Sequence, residues 1–393
     1  MLVAQRIQLN PNNKQTTFFN KSAGCSRFAY NWAKNEWDKR YNDNKKVNEA
    51  LLRKELNSIK REVFPWMLEV PKTVIQQSIK DLGVAYQNAF RRINKKQRTS
   101  NDKNPFGFPV YKKKFKNDSF RIDNGPLVKG EHSVVVNNKK VKVPKLGYVR
   151  LTERVRFTGQ IKSAVISRKA NKWFVSFLID TNDIVRTKKK RNVVGVDLGV
   201  NKLATLSNKK IFVGPKAYTC RMRKLRKLNK KFSRTKKLSK NRKKAAQALA
   251  TLHYRISCIR KDSIHKLTSH LSKDYRIISI EDLNVSGMIK NHNLARAISD
   301  MGFGEFRRQM EYKTAWYGST LFIADRFYPS TKTCSKCDNI QNMDGKDTYH
   351  CESCGYKIER DLNASINLEN LAVSFIDKQN DCGEKSAGLT SVN

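Results

Sequence analysis

RNVVGVDLGV, residues 191–200, is an apolar strand with a single acid in it. Side chains alternate across a strand, so Gly195, Asp197 and Gly199 share one face. A carboxylate on a buried strand is costly unless something pairs with it, and a divalent cation does. Two further acids sit in comparable settings. Glu281 ends a second apolar strand, RIISIED (276–282), and Asp361 lies in ERDLNASINL (359–368), just ahead of small and apolar residues at helical spacing. Three such carboxylates can hold two Mg2+ ions about 3.5–4 Å apart, which activate a water and stabilise the leaving oxygen of a phosphodiester. Picking three acids from 34 is easy, so the set rests on its order and context. A strand Asp between glycines comes first, then a strand-end Glu after a helical excursion, then an Asp at a helix start.

Outward from Asp197, no Asp or Glu occurs until Asp262. Within that gap, Arg221 to Lys244 holds 14 Lys or Arg in 24 residues. Met222, Leu225, Leu228 and Phe232 keep a helical apolar stripe, and Leu249, Leu252, Ile256 and Ile259 begin a second one. The pair predicts a helical hairpin with one buried seam. Cations without counter-carboxylates repel one another, so its outer face is expected to track phosphates.

Towards the C-terminus, Cys334 and Cys337 in TCSKC and Cys351 and Cys354 in HCESCG form two CxxC pairs separated by 13 residues. This spacing predicts a closed, tetrahedral, structural Zn2+ ribbon; a redox CxxC would need only one pair. Gly355 suits the turn after the last knuckle, and His350 is not expected as a ligand, since four sulfurs complete the shell. Arg326 and Lys332 flank the ribbon as candidate phosphate contacts. Beyond Leu371 periodicity fades, and an unstructured tail is expected over 373–393.

The N-terminal half reads differently. Leu2 to Leu9 alternates as an edge strand does, and Asn10 to Asn13 makes a turn with Pro11. Helical pattern follows from about Lys21 to Ile59. Pro71 opens another helix, with Ile75, Ile79, Leu82, Tyr86, Ala89 and Ile93 as its core stripe. SVVV (133–136), VKVP (141–144) and KWFVSFLI (172–179) are short β runs, and Trp173, Phe174 and Phe177 are expected in the β core rather than stacked on bases. Residues 187–191 read as a basic hinge. Lys and Arg number 80 against 34 Asp and Glu, a net charge of +46 over 393 residues. Duplex DNA carries about two negative charges per base pair, so this chain could neutralise roughly 20 base pairs. No segment is apolar enough for a signal peptide or a membrane span, and the cysteine usage fits a reducing compartment. A nucleic-acid partner, no membrane and a cytoplasmic, nucleoid-associated location are expected.

Taken in order, GVDLGVNKLATL (195–206), the basic helices, SIEDLNVSGM (279–288), RFYPSTKTCSKC (326–337), HCESCG and ERDLNASINL resemble TnpB-type proteins. These are transposon-encoded RNA-guided nucleases related to type V CRISPR effectors. CSRFAYNWAKNEW (25–37), WMLEVPKTVIQQSIKDLGVAYQNAF (66–90) and GFPVYKKKFKNDSF (107–120) resemble that family's recognition and wedge regions. The resemblance implies an α+β multidomain chain. A β-barrel-like wedge (1–15 and 101–190) would carry an inserted helical recognition lobe (16–100). An RNase H-like, RuvC-type nuclease domain (191–330 and 357–372) would carry the zinc ribbon (331–356) as an insertion. Asp197, Glu281 and Asp361 would be its catalytic triad and Mg2+ ligands. The chain would bind a guide RNA from the end of its own element as a monomer in a ribonucleoprotein. It would recognise a short motif beside a double-stranded DNA target and cleave both strands by hydrolysis. The alternatives are a DNA-strand transferase, in which a DNA 3′ hydroxyl attacks instead of water, and a guide-directed DNA-binding regulator that does not cut.

Overall fold

The computed structural model describes residues 1–97, 99, 104–116, 118–124, 133–183, 191–342 and 347–382. It divides into two compact units, Met1–Asp183 and Ile184–Asn393.

In the first unit, β1 (Leu2–Asn10) is followed by α1 (Asn13–Asn42), α2 (Glu49–Ile59) and α3 (Lys72–Asn94). Six more strands follow: β2 (Ser119–Asp123), β3 (Val135–Asn137), β4 (Lys140–Val143), β5 (Gly147–Leu151), β6 (Gln160–Lys169) and β7 (Lys172–Asp180). They make one antiparallel sheet in the order β2-β6-β7-β1-β5-β4-β3. Among the described residues the outer strands β2 and β3 share no ladder. Asn124 links their ends instead: its side chain bonds Val134 N at 2.7 Å, Val134 O at 3.1 Å and Ile161 O at 2.9 Å.

Trp173 and Phe177 are buried in the sheet's core, as expected, together with Phe19 of α1 and Val74 of α3. Phe174, also buried, stacks under Arg6 at 4.1 Å. A second core joins the helices, where Trp37 and Tyr86 stack at 4.4 Å. Three expectations need amendment. Strand β1 is not an edge strand: it lies between β7 and β5 and pairs with both. Helix α1 begins at Asn13, well before Lys21, because Asn12 and Gln15 form a capping box. Ile93 does not continue the α3 stripe into the core; it is exposed near the helix end.

The second unit opens with β8 (Arg191–Asp197), β9 (Ala204–Leu206) and β10 (Ile211–Phe212). The expected hinge lies at 187–191, and all of it except Arg191 is outside the described residues. The basic hairpin is α4 (Met222–Ser233) and α5 (Lys240–Asp274), and Ser239 caps the longer helix. Then come β11 (Tyr275–Glu281), α6 (Val285–Ile289), α7 (Ala295–Met301), α8 (Phe303–Tyr317) and β12 (Thr320–Ala324). A small antiparallel pair, β13 (Thr348–His350) and β14 (Lys357–Glu359), leads into α9 (Arg360–Cys382).

The five-stranded sheet has the order β10-β9-β8-β11-β12, with β8, β11 and β12 parallel and β9 and β10 antiparallel. Val194, Val196, Ile278 and Ile280 bury one face under α5 and α8. Helix α9 packs on β8 and β11, where alternation turns the smaller Gly195 and Ser279 towards it. Helix α9 runs through Cys382, so 373–382 is helical rather than part of an unstructured tail; Phe375 packs on Phe322 of β12 at 5.3 Å. Residues 383–393 lie outside the described residues.

Candidate active site and metal centre

Register builds the acidic site. Strands β8 and β11 run parallel with Val196 opposite Ile280, so their next residues, Asp197 and Glu281, stand side by side at the sheet's C-terminal edge. Ligands in open α/β sheets gather at that edge. The third acid arrives on α9, which lies directly on β8. A Cβ added to Gly195 would sit 1.8 Å from Ser365 O and 2.6 Å from Glu369 N. No other residue fits there. Ser279, paired with Gly195, continues the small floor beneath the helix. This contact brings the first turn of α9 over the edge, and Asp361 Oδ2 comes within 3.9 Å of the position a Gly199 Cβ would occupy.

Asp197 is 8% exposed. Burial first, then the charges of Glu281 and Asp361, raises its carboxyl to about 8 against an opposing pull from Arg360. Asp197 therefore feels both of the other acids, Glu281 and Asp361. They are not gathered into a single-ion shell like that of the cysteines. Buried Asp197, repelled by the half-buried Glu281 and Asp361 and opposed by one guanidinium, makes a carboxylate set that suits divalent cations.

The structure adds partners that sequence reading did not single out. Ser330 Oγ donates to Glu281, and Arg360 reaches Asp361 Oδ1 through Nε at 3.2 Å and Nη2 at 3.0 Å. Asp282, next to Glu281, accepts from Arg307 and Arg326. Burial opposes its ionisation, but these two guanidinium bonds outweigh it and hold the carboxyl below its usual range. Arg326 thus spends its charge within the protein. Lys332, the other candidate phosphate contact, bonds Asn342 Oδ1 at 3.1 Å. Beside Glu281 a 160 Å³ cleft is lined by Leu198, Phe303, Arg307 and Arg308. A different buried acid, Asp300, belongs to no such site: it accepts the backbone N–H of Tyr218 at 3.0 Å and of Thr219 at 3.2 Å.

The four cysteines converge as their spacing requires. All four sulfurs lie within 4.8 Å of one another, with Cys334–Cys354 at 3.7 Å and Cys337–Cys351 at 3.6 Å. A tetrahedron with Zn–S bonds of about 2.3 Å has sulfur–sulfur edges of about 3.8 Å, so the set fits zinc. The two knuckles repeat one design. Cys334 N donates to Asn339 O and Cys351 N to Tyr356 O, each at 2.9 Å. Asp338 and Gly355, each four residues past the first cysteine of its pair, take positive φ of 57° and 68°. Backbone N–H groups, that of Cys354 first, draw the Cys351 thiol below its usual range, whereas at Cys337 the N–H of Asn339 lowers the thiol less than the other three sulfurs raise it; the set shares its negative charge unevenly until a cation takes it up. His350 is exposed and stands outside the set. The ribbon's own core is small, Tyr349 between Cys334 and Cys351. Two α9 side chains hold it in place: Asn363 Nδ2 donates to Thr333 O at 2.6 Å, and Asn367 Nδ2 to Ser330 O and Thr333 O at 2.7 Å each.

The basic hairpin has the expected seam, Leu225 against Leu252 and Ile256. Among the described residues, none of the 14 cations from Arg221 to Lys244 forms an ion pair; Arg242 is spent on Phe232 O and Thr235 O. No helix among the described residues is long and apolar enough to cross a membrane.

Three family profiles match the chain: a probable transposase profile over residues 176–292, a Cas12f1-like TNB domain over 303–368, and a helix-turn-helix domain over 1–46. The last description does not suit the structure, since those residues form β1 and the single long helix α1. A putative RNA-guided DNA endonuclease of Escherichia coli, InsQ, is 31% identical over 93% of this chain and 91% of its own length. One from Streptomyces pristinaespiralis is 30% identical over 93% and 88%. Among solved structures, Cas12f1 in a complex with guide RNA and target DNA superposes with a TM-score of 0.52 at 15% identity. It covers 91% of this chain and 83% of its own, a likeness of fold.

Proposed function

This chain belongs to the TnpB family of transposon-encoded proteins, and from that premise we propose that it is an RNA-guided, Mg2+-dependent endonuclease acting on double-stranded DNA. One observation carries the reading: the register of β8 with β11 sets Asp197 beside Glu281 at the sheet's edge, and α9, packed on Gly195, brings Asp361 to that edge, in a chain of net charge +46. The sheet order and the α9 crossing support an RNase H-like, RuvC-type nuclease domain spanning 191–330 and 357–372, with the ribbon at 331–356 inserted before the last acid. The first unit then serves as the wedge (1–15 and 101–190) and the helical recognition lobe (16–100).

In this mechanism the protein mainly positions and screens. Two Mg2+ ions held by Asp197, Glu281 and Asp361 would supply the charge that activates a water and stabilises the departing 3′ oxygen, leaving a 5′ phosphate. Asp197, with its raised carboxyl, must be deprotonated to serve. Ser330 orients the Glu281 carboxylate and Arg360 that of Asp361. The unpaired cations of α4 and α5 grip the phosphate backbone. Cys334, Cys337, Cys351 and Cys354 hold one structural Zn2+, which keeps Ser330 and Thr333 against α9. One site of this kind would cut both strands in turn, within a ribonucleoprotein containing a single copy of the chain. Base pairing with an RNA from the element's end would select the target, and the protein would read the short adjacent motif and the duplex shape.

The test is to sequence the RNA that copurifies with the expressed chain, reprogram its guide segment, and supply matched and mismatched duplexes with Mg2+. Guide-dependent breaks with 5′ phosphates support the proposal. A joined donor–acceptor product formed without RNA would overturn it in favour of strand transfer.

A further inference from the structure

The turn between β12 and the ribbon, Asp325 to Ser330, carries an aromatic side chain that the mechanism so far leaves unused. Phe327 is 87% exposed, more than any other aromatic among the described residues, and no ring or cation lies against it there. A scattered exposed hydrophobe needs no explanation, but this one sits on backbone fixed from both sides. Its N–H donates to Asp325 Oδ1 at 2.8 Å, and the Tyr328 N–H donates to Asp325 O at 3.1 Å, closing a tight turn. The residue before it, Arg326, is bound to Asp282, the neighbour of Glu281. Tyr328 OH donates to Asn367 O of α9 at 3.4 Å, and Ser330 donates to Glu281 itself. The chain thus anchors a bare phenyl ring to the scaffold of two of its three acids, Glu281 directly and Asp361 through α9.

We propose that Phe327 is a positioning residue on which a base of the strand being cut stacks, fixing the adjoining phosphate beside Asp197, Glu281 and Asp361. Every base has a π face, so stacking holds any sequence, as a guide-programmed nuclease requires. A phenyl ring adds no charge to a site already crowded with Arg307, Arg326 and Arg360. The ring's exposure also leaves it nothing to contribute to folding. This inference rests on the nuclease reading above, and the experiment separates the two.

Ribonucleoproteins of the full chain with its copurified RNA are prepared as wild type, Phe327→Ala, Phe327→Leu, Phe327→Tyr and Asp197→Ala. Single-turnover cleavage is measured on a matched duplex, and 2-aminopurine is placed at successive positions around the cut. Loss of one base stack predicts that Phe327→Ala and Phe327→Leu cut about 5- to 150-fold more slowly. Phe327→Tyr should stay close to wild type, and thermal midpoint, zinc content and RNA affinity should not change. The 2-aminopurine signal should change at one or two positions in Phe327→Ala. Cleavage by Phe327→Leu at the wild-type rate would overturn the proposal. If the wild-type complex does not cut DNA, the nuclease reading fails by itself. The 2-aminopurine signal on bound target then still decides, and identical signals in wild type and Phe327→Ala would overturn the stacking role.

Discussion

Replacing Gly195 with alanine adds a single methyl group and should disable the site without touching an acid. The added Cβ would lie 1.8 Å from Ser365 O and 2.6 Å from Glu369 N, whereas real Cβ contacts are essentially never under 3.0 Å. Both atoms are α9 backbone, so no side chain can swing aside. The helix must retreat by on the order of 1 Å, a displacement that can cost about 100-fold in rate when it separates reacting groups. Overpacking of this kind costs about 1–3 kcal/mol of stability. In a unit of this size that lowers the thermal midpoint by about 2–12 °C. Single-turnover cleavage and thermal unfolding would be followed together, with zinc content confirming an intact ribbon. Ser279→Ala is the control on the same floor. Among the described residues its hydroxyl is buried without a partner, so its loss should leave rate and stability within a small margin of wild type or raise stability slightly. A Gly195→Ala protein that cuts within threefold of wild type and melts at the same temperature would refute the close-packing argument.

Other consequences can be checked separately. Cys351→Ser should lose the bound zinc, measured by atomic absorption, and lower the thermal midpoint, because metal binding is coupled to folding in so small a core. Lys313 gives a pH signature. It is buried on α8, donates to His265 O, Thr268 Oγ1 and Ser269 Oγ, and burial followed by Lys273 lowers its ammonium to about 8. The folded state then binds fewer protons than the unfolded chain between about pH 8 and pH 10.5. Lys313 should therefore make stability rise with pH across that window, and Lys313→Met should flatten the rise in denaturant titrations. Lys230→Gln and Lys231→Gln on α4 should weaken nucleic-acid binding alike for all sequences. Each should reduce the slope of log affinity against log salt by about 1 if it meets a phosphate.

Some features were readable from the chain because they repeat with a period or a fixed spacing. The two CxxC pairs predicted the sulfur quartet, and the Leu225–Ile256 stripe predicted the hairpin seam. Asp197 and Glu281 were readable as strand acids, but their adjacency depends on the register of β8 with β11, which neither strand states alone. Strand alternation makes Gly195 a face-mate of Asp197 and no more; its need for the smallest side chain comes from a helix 170 residues later. Ser330, Asn363 and Asn367 carry no local signal, since a hydroxyl or amide in a loop or helix is commonplace until its partner is known. The end of α9 is not legible for a related reason: Phe375 is held by Phe322, a partner on β12 that the helix's own sequence does not reveal. At α1, by contrast, the Asn12–Gln15 capping box was present in the sequence and outranked the turn implied by Pro11.

The convergence of the three acids is tested most directly by Asp197→Asn, which preserves shape and removes the charge. With guide RNA, matched duplex and Mg2+, the wild-type complex should cut both strands. The variant should bind RNA and target with unchanged affinity and cut at least a thousandfold more slowly. Undiminished cutting by the Asp197→Asn complex would contradict the account.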